Sequence, residues 1–342
     1  SIKIENPEDC RRYCGLSLSK VKVGPSPEWM RGLLLDAGFR PINHVVDVTN
    51  FVMLELGHPN HAFDVRKLPG RDIRIMRAGT KEKFSTLTGK ELELGEGDLV
   101  IRAGGEVTAL AGVVGGKNSS IAEETSDIFM EAAHFEPLRV RKSAASHDIR
   151  TDSSARFEKS LDPENAPKAL RRMVQLLKEI SPELKQRSRL LDAFPRPYAP
   201  LKLKLRTRRA ADTLGMEIDA GEQADILGRL GFGVVTCGDT LEVNVPSYRA
   251  TKDIEQEIDL VEELGRIAGF ERVGVKSPRL GIEPVQMNPR VARARAIRDS
   301  LASLGYDEVL THSFAREELV KALGARVEDC VELANPLGRD QS

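Results

Sequence analysis

The region from residue 72 to residue 115 alternates apolar and polar side chains in short runs that glycines separate. Residues 72–77 and 91–94 show the period of two that is typical of β-strands. The glycine pair at 104–105 suits a tight turn between such strands. The sequence therefore predicts a part of the chain that is rich in short strands.

Helical patterns lie on both sides of this region. Apolar residues recur at helical spacing in segments that each predict a helix: 27–38, 163–180, 253–269 and 290–304. Alternation predicts a strand, a hairpin and the opening of a further strand over 201–206, 234–245 and 308–310. We therefore expect an α+β protein with several domains rather than one doubly wound parallel sheet.

The chain length of 342 residues suggests two or three domains. Prolines at 195, 197 and 200 predict one boundary, and a second is expected near residues 278–289. The chain begins without a methionine and stops soon after a new helical segment. We interpret it as a piece of a longer protein.

The composition excludes several classes of protein. Hydrophobic residues make up 40% and charged residues 30%, which is an ordinary globular mixture. No apolar run approaches the roughly 18 residues that a membrane span needs, so we expect no membrane association. Four cysteines without a signal peptide suggest reduced thiols in the cytoplasm, and a zinc site at Cys10 and Cys14 would lack a second ligand pair.

A net charge of -1 gives no overall positive field for nucleic acid. RNA contacts would depend on local basic clusters, and we expect no DNA partner. The clusters lie at Arg139, Arg141 and Lys142, at Lys202, Lys204, Arg206, Arg208 and Arg209, and at Arg290, Arg293, Arg295 and Arg298. Each is also compatible with a simple solvated surface.

Four segments suit a binding site, although each has a structural alternative. The segment 57–64 carries two histidines on a predicted loop, where they could pack or bind a substrate. Glu131 follows three apolar residues and could face solvent or anchor a ligand in a pocket. Residues 150–158 predict a salt-bridged loop or a hydroxyl-rich site. The glycines of 111–118 suit a tight turn or a close approach to a small ligand, since the segment departs from the phosphate-loop pattern.

An acidic cluster lies in the helix predicted over 253–269. Asp259, Glu262 and Glu263 share one helical face, and Asp253 lies near the expected start of the helix. Such a face is either solvated or a candidate Mg²⁺ site, because hard cations prefer oxygen ligands.

A series of short motifs extends along nearly the whole chain. It includes the segments 45–57, HAFD at 61–64, 109–116, 124–125, RTD at 150–152, RFE at 156–158, 162–163, VPSYR at 245–249, DLVEE at 259–263 and NPL at 335–337. In order and spacing these motifs resemble the beta subunit of bacterial phenylalanyl-tRNA synthetase.

The resemblance implies a modular organisation. It predicts an editing domain over 1–198, a small helix-turn-helix-like α+β domain over 199–278, and the start of a catalytically silent synthetase-like domain over 279–342. It also implies an alpha subunit that binds ATP and activates phenylalanine, assembly into an α2β2 heterotetramer, and tRNA(Phe) as the partner nucleic acid. This chain would contribute the hydrolysis of mischarged Tyr-tRNA(Phe).

The resemblance also implies site residues. Glu131 would accept the para hydroxyl of tyrosine, and Thr49 and His61 would hold the ester and its water. The pocket would also include Gly115, Gly116, Thr151 and Ser153. Asp253, Asp259, Glu262 and Glu263 match the family's Mg²⁺ positions in the assembled enzyme, and Asp253 is the least secure match because the stretch after Arg249 is longer here.

This chain departs from the family pattern inside the predicted pocket. Ser153 stands where alanine is usual, and Asn60 stands where methionine usually precedes the histidine. Lys159 and Ser160 replace an Arg-Gly pair. Two other functions remain open at this point, namely a free-standing trans-editing deacylase and a non-enzymatic RNA-binding or assembly module. The acidic helix and the NPL ending argue against the free-standing deacylase.

Overall fold

The structure is a computed structural model that describes residues 1–275, 277–281, 284–334, 336 and 338. The chain divides into two compact units, Ser1–Val275 and Lys276–Ser342. Of the predicted NPL motif, Asn335 and Leu337 lie outside the described residues.

Short strands and helices alternate through the first unit. Its strands are β1 (Ile2–Ile4), β2 (Cys10–Ser19), β3 (Asn60–Asp64), β4 (Ile73–Arg77), β5 (Glu82–Ser85), β6 (Glu91–Leu94), β7 (Leu99–Ala103), β8 (Glu106–Leu110), β9 (Val114–Gly115), β10 (Asp127–Phe135), β11 (Lys185–Gln186), β12 (Leu191–Ala193), β13 (Leu201–Arg206), β14 (Gly233–Cys237) and β15 (Thr240–Val245). Its helices are α1 (Glu28–Asp36), α2 (His44–Leu56), α3 (Pro137–Ser146), α4 (Asp152–Phe157), α5 (Asn165–Ile180), α6 (Thr207–Leu214), α7 (Ala220–Arg229) and α8 (Glu257–Ala268). The second unit contains α9 (Pro289–Ser303) and α10 (Glu317–Ala322).

The strands of the first unit form three larger sheets. Sheet I has the order β1-β4-β7-β8-β9, and sheet II has the order β11-β2-β10-β3 with β12 also paired to β2. Sheet III has the order β13-β15-β14, and β5 and β6 form a separate hairpin. The predicted strand-rich region supplies sheet I and this hairpin, so the α+β prediction is confirmed.

Strand β10 is buried on both faces of sheet II. Its alternate residues Ile128, Met130 and Ala132 belong to the core under the helices, whereas Phe129 and Ala133 belong to the core between sheets I and II. Such a strand shows a continuous apolar run instead of alternation. The alternation of side chains then places the carboxyl of Glu131 on the face that packs against sheet I.

Helices α1, α2 and α5 cover the other face of sheet II. Their apolar stripes bury residues that pack together in one core: Met30, Leu34, Val45, Val48, Val52, Leu170, Met173 and Leu177. Helix α2 begins at a clear signal, because the Asn43 side chain accepts hydrogen bonds from the N–H groups of Val45 and Val46. It ends at Gly57, which has a φ of 66°. The helix therefore lies beside the edge strand β3.

The predicted strand over 201–206 is confirmed as β13, and the predicted hairpin is confirmed as β14 and β15. Helices α6, α7 and α8 cover one face of sheet III around a separate core that includes Leu205, Leu241 and Leu260. The VPSYR motif joins this part to the preceding part of the unit. Its Ser247 hydroxyl donates a hydrogen bond of 2.8 Å to the buried carboxylate of Asp162.

Three expectations about local structure are wrong. The segment 57–64 contains strand β3 rather than only a loop, because residues 60–64 pair with β10. Residues 152–157 form α4 rather than an irregular loop, because Thr151 and Ser154 form a reciprocal capping box. The helix predicted from residue 253 begins at Glu257, since the Asp259 side chain accepts the N–H groups of Glu255 and Gln256.

The predicted strand opening at 308–310 is also absent from the described residues, which have no strand there. The described part of the second unit offers no neighbouring strand, and a strand needs a partner for its backbone hydrogen bonds. Among the described residues, no helix is both long enough and apolar enough to cross a lipid bilayer.

The Ser247–Asp162 contact generates a first prediction. Replacing Ser247 with Ala removes a hydrogen bond to a buried carboxylate, so the free energy of unfolding should fall by roughly 1.5–3 kcal/mol. Urea unfolding followed by circular dichroism measures the change. Ser146→Ala is the matched control, because that hydroxyl donates only to Ser143 O within its own helix. Equal losses in the two variants would contradict the prediction.

Candidate functional site

A cavity of about 580 Å³ lies where the edge strand β3 meets α2, sheet I and α4. Its volume is in the range of small-molecule sites. Six of the predicted pocket residues line it: Thr49, His61, Gly115, Glu131, Thr151 and Ser153. They come from segments about 100 residues apart, and the fold brings them to one place. Gly116 is not part of the lining.

Glu131 is buried in the wall of this cavity, with 5% of its surface exposed, so the solvent-facing alternative is wrong. Burial raises the pKa of Glu131 to about 8, and the neighbouring Tyr13 hydroxyl acts in the opposite direction. One carboxyl oxygen, Oε2, has no hydrogen-bond partner, and the Tyr13 hydroxyl also lacks one of ordinary geometry. The carboxyl is therefore mostly neutral at pH 7 and retains an oxygen for a ligand.

His61 lies directly opposite Glu131 in the antiparallel pair of β3 and β10. Side chains at such paired positions lie next to each other on one face of the sheet. The imidazole packs edge-on against Phe63 at 4.5 Å between ring centroids, and its buried Nε2 has no hydrogen-bond partner. Burial lowers the pKa of His61 to about 4, so the ring is neutral at pH 7.

The two glycines have different roles. A Cβ on Gly115 would lie 2.8 Å from Leu87 Cδ1 and 3.0 Å from His61 Cε1, so only glycine lets the strand approach the imidazole this closely. A Cβ on Gly116 would lie 2.7 Å from Thr108 O, and the Gly116 N–H donates to that same oxygen. The Gly116 N–H is thus used within the fold rather than offered to a ligand.

Thr49 and Asn60 are tied together at the α2 side of the cavity. The Thr49 hydroxyl donates to Val46 O at 2.6 Å, which leaves its oxygen free to accept. The Asn60 Nδ2 group donates to Thr49 O and to His58 O, both at 3.2 Å. The sequence did not mark Asn60 as a site residue. The only signal for it was its departure from the methionine of the resembled family.

Helix α4 closes another side. The Thr151 hydroxyl donates to Val113 O at 2.8 Å and accepts the Ser154 N–H, so it pins the start of the helix to the glycine-rich turn. Ser153, one position into the helix, is partly exposed and lines the cavity. The serine found here in place of alanine therefore does add a hydroxyl to the cavity wall.

Two buried aspartates hold the surrounding segments. The Asp47 carboxylate accepts hydrogen bonds from the Ser26 hydroxyl and the Ile42 N–H, which fixes the segment that brings Ile42 to the cavity. The Asp64 carboxylate accepts from the Thr125 hydroxyl at 2.7 Å and from the Arg66 N–H at 3.0 Å. These aspartates of the 45–57 and HAFD motifs therefore support the site without lining it.

The acidic cluster does not form a metal site in this chain. Asp253 and Glu263 both pair with Arg249, and Glu263 also pairs with Arg266 at 2.7 Å. An Asp259 oxygen is used by backbone N–H groups, and Glu262 is exposed.

In the described part of the chain, no three His, Cys, Asp or Glu side chains are placed to hold a metal ion. The residues present therefore do not fit Mg²⁺, since their oxygens are used by arginines and backbone amides. The cluster acts as an ion-pair network between α8 and the segment before it.

Comparison with protein families identifies the chain. A family described as B3/4 domain matches residues 9–182, and one described as tRNA synthetase B5 domain matches residues 203–270. A third, the phenylalanyl tRNA synthetase beta chain CLM domain, matches residues 274–342. The chain belongs to the phenylalanyl-tRNA synthetase beta-chain family. The resemblance in the sequence motifs is thereby confirmed.

Relatives of the synthetase beta chain match over the full length of this chain. The phenylalanine–tRNA ligase beta subunit of Carboxydothermus hydrogenoformans is 39% identical over 346 residues, which cover 100% of this chain and 43% of the relative. Those of Syntrophus aciditrophicus and Thermotoga maritima are 41% and 38% identical, and 43% and 42% of their lengths are covered. The chain thus spans less than half the length of these relatives.

A solved N-terminal fragment of the beta subunit from Pyrococcus horikoshii covers 77% of this chain and 72% of its own length. Its sequence identity is 14% and its TM-score is 0.36, so the likeness is too weak to inform the fold.

Two further histidines of this synthetase chain are buried behind the cavity. His58 is 0% exposed and His134 is 3% exposed. Burial, together with the neighbouring His134, lowers the pKa of His58 to about 3. Burial also lowers the pKa of His134 to about 4. Both rings are therefore folded in the neutral form.

These histidines generate a prediction about acid stability. The pKa of His58 is lower in the folded chain than the value of about 6.5 expected when unfolded, so the unfolded chain binds more protons at low pH. Its contribution is present above about pH 6.5 and is lost as the pH falls toward 3. His58→Gln should flatten this acid loss of stability in urea unfolding at pH 7, 5 and 4. The exposed His312→Gln should keep the wild-type slope, and a wild-type slope in His58→Gln would refute the prediction.

Proposed function

We propose that the cavity hydrolyses tyrosine mischarged onto tRNA(Phe), within a beta chain that charges tRNA(Phe) with phenylalanine together with an alpha subunit. The observation that supports this most is the set of buried, unpaired polar atoms in residues that line one cavity: Asn60 Oδ1, His61 Nε2 and Glu131 Oε2. Buried polar atoms normally have partners, so atoms without one at a cavity indicate a polar ligand.

Glu131 supplies the selection for tyrosine over phenylalanine. Tyrosine differs by one para hydroxyl, and a site with a buried hydrogen-bonding group discriminates strongly against an analogue that cannot pair with it. The unpaired Oε2 accepts the phenolic proton, and a hydrogen bond to the carboxylate favours its charged form. A phenylalanine ring would leave the same buried group without a partner, which is unfavourable.

His61 and Thr49 hold the ester and the attacking water. With a pKa of about 4 the imidazole is a weak base at pH 7, so its role is to orient water rather than to remove a proton. The Thr49 hydroxyl proton is directed to Val46 O and Nε2 of His61 has no partner, which disfavours a hydroxyl nucleophile activated by this histidine.

Direct attack by water is the step that fits these contacts. The water oxygen attacks the ester carbonyl carbon, the bond to the terminal ribose oxygen breaks, and that oxygen takes a proton. A hydroxyl of the terminal ribose assists. Gly115 and the pinned start of α4 at Thr151 shape the wall against which the amino acid lies, and Ser153 adds a polar group to it.

The remaining functions belong to the assembled enzyme. We propose an α2β2 heterotetramer in the cytoplasm, with ATP and Mg²⁺ used at the alpha subunit. We also propose the three-part division of this chain at residues 198 and 278. Because the carboxylates of α8 are engaged by arginines, no catalytic role is assigned to them here.

The role of Glu131 predicts a change in discrimination. Glu131→Ala removes a charge-assisted hydrogen bond worth roughly 1.5–3 kcal/mol, so the ratio of Tyr-tRNA(Phe) to Phe-tRNA(Phe) hydrolysis should fall about 10- to 150-fold. Deacylation assays with the purified chain and both charged tRNAs measure this ratio. Glu93→Ala, which removes an exposed carboxylate from a strand, is the matched control. Equal losses for both esters would mean that Glu131 is structural or catalytic rather than selective.

The role of His61 predicts a different pattern. His61→Ala should slow hydrolysis of both esters to a similar extent, because the imidazole orients groups that the two substrates share. The same deacylation assays test this, with the exposed His312→Ala as control. A selective loss for the tyrosyl ester alone would assign His61 to recognition of the side chain instead.

A further inference from the structure

Asn60 is held in one orientation by two backbone carbonyls. Its Nδ2 group donates to Thr49 O in α2 and to His58 O in the preceding loop, each at 3.2 Å. The flipped amide would place Oδ1 against both carbonyl oxygens, and three acceptors cannot pair with one another. The hydrogen-bond network therefore assigns Nδ2 to the protein and leaves Oδ1 for another donor.

No donor of the protein reaches that oxygen. Oδ1 of Asn60 is buried and has no hydrogen-bond partner, although the residue lines the cavity. A buried acceptor without a partner destabilises the fold unless something else binds it. The Asn60 carbonyl is thus a candidate ligand contact on the same grounds as the Glu131 carboxyl.

The two acceptors lie on opposite faces of sheet II. Asn60 pairs with Ala132, whereas His61 pairs with Glu131. Successive side chains of a strand alternate between faces, so Asn60 lies on the side of α2 and Thr49, and Glu131 lies on the side of sheet I. Because the cavity surrounds the edge strand β3, a single extended ligand can reach both sides.

The chemistry of an aminoacyl ester matches this arrangement. A tyrosyl ester has a hydroxyl donor at the end of its side chain and an ammonium donor next to the ester carbonyl. If Glu131 accepts the hydroxyl and Thr49 lies at the ester, as in the proposed function, the acceptor beside Thr49 is placed for the ammonium. An amide carbonyl is a suitable partner for a cation, because hydrogen bonds with one charged member are the stronger ones.

We propose that Asn60 Oδ1 accepts a hydrogen bond from the α-ammonium group of the aminoacyl ester. This inference rests on the proposed function and extends it, because it defines the substrate class. The site takes esters with a free α-amino group and disfavours N-acylated or peptidyl esters. Asn60 is a recognition residue in this scheme, and His61 and Thr49 keep their roles at the ester.

Hydrolysis of Tyr-tRNA(Phe) and N-acetyl-Tyr-tRNA(Phe) tests the proposal in the wild-type chain and two variants. The wild-type chain should hydrolyse the free-amine ester at least about tenfold faster, as expected for a hydrogen bond to a charged group. Asn60→Leu, which is close to isosteric, should bring the ratio near one, mainly through a slower free-amine reaction. Asn60→Asp loses Nδ2 as well but keeps an acceptor, so it should retain the preference.

The pair of variants separates recognition from structure. Both lose the Nδ2 contacts to Thr49 and His58, so a purely structural role would impair both variants equally and leave the ratio unchanged. Thermal unfolding of each variant checks that the fold is retained. An unchanged ratio in Asn60→Leu, or an equal loss of preference in Asn60→Asp, would overturn the proposal.

A binding measurement keeps the inference distinct from the proposed hydrolysis. Tyrosinamide carries the ammonium and no carboxylate, like the ester, and N-acetyltyrosinamide lacks the charge. Calorimetry should show about tenfold tighter binding of tyrosinamide to the wild-type chain and no preference in Asn60→Leu. If the wild-type chain shows this preference but hydrolyses neither ester, Asn60 keeps its role and the hydrolytic function fails. No preference in the wild-type chain overturns the role of Asn60.

Discussion

The antiparallel pairing of β10 with β3 is the interaction on which the rest of this structure depends. Strand β10 is buried on both faces and separates two apolar cores. Its pairing with β3 sets Glu131 opposite His61. A shift of this register by one residue would move every side chain of β3 to the other face and separate the two groups. The site is therefore a consequence of one strand register inside an apolar core.

The same burial determines the electrostatics of the site. Desolvation raises the pKa of Glu131 to about 8 and lowers that of His61 to about 4, so both groups are neutral at pH 7 before a ligand binds. A neutral carboxyl and a neutral imidazole can be tolerated in an apolar wall where two ions would be costly. The polar atoms that remain unpaired are stabilised only when a substrate supplies donors and acceptors.

Other motif residues that seemed chemical in the sequence hold the structure together. Asp47 and Asp64 each accept hydrogen bonds from a hydroxyl and a backbone amide. Arg249 binds two carboxylates of the acidic set, and the buried Asp162 joins the part around sheet II to the part around sheet III through Ser247. A polar residue in a motif can therefore be retained for burial and pairing alone.

By itself, the sequence determined the α+β class, the strand-rich region and strand β13, because alternation and helical spacing are local properties of the chain. Its motifs also indicated the pocket residues, of which Gly116 alone does not line the cavity. Strand β3, the burial of Glu131 and the start of α8 at Glu257 were decided by pairing partners and capping contacts that local patterns do not encode. The orientation of Asn60 likewise depends on two carbonyls from separate segments, and only the tertiary structure brings those together.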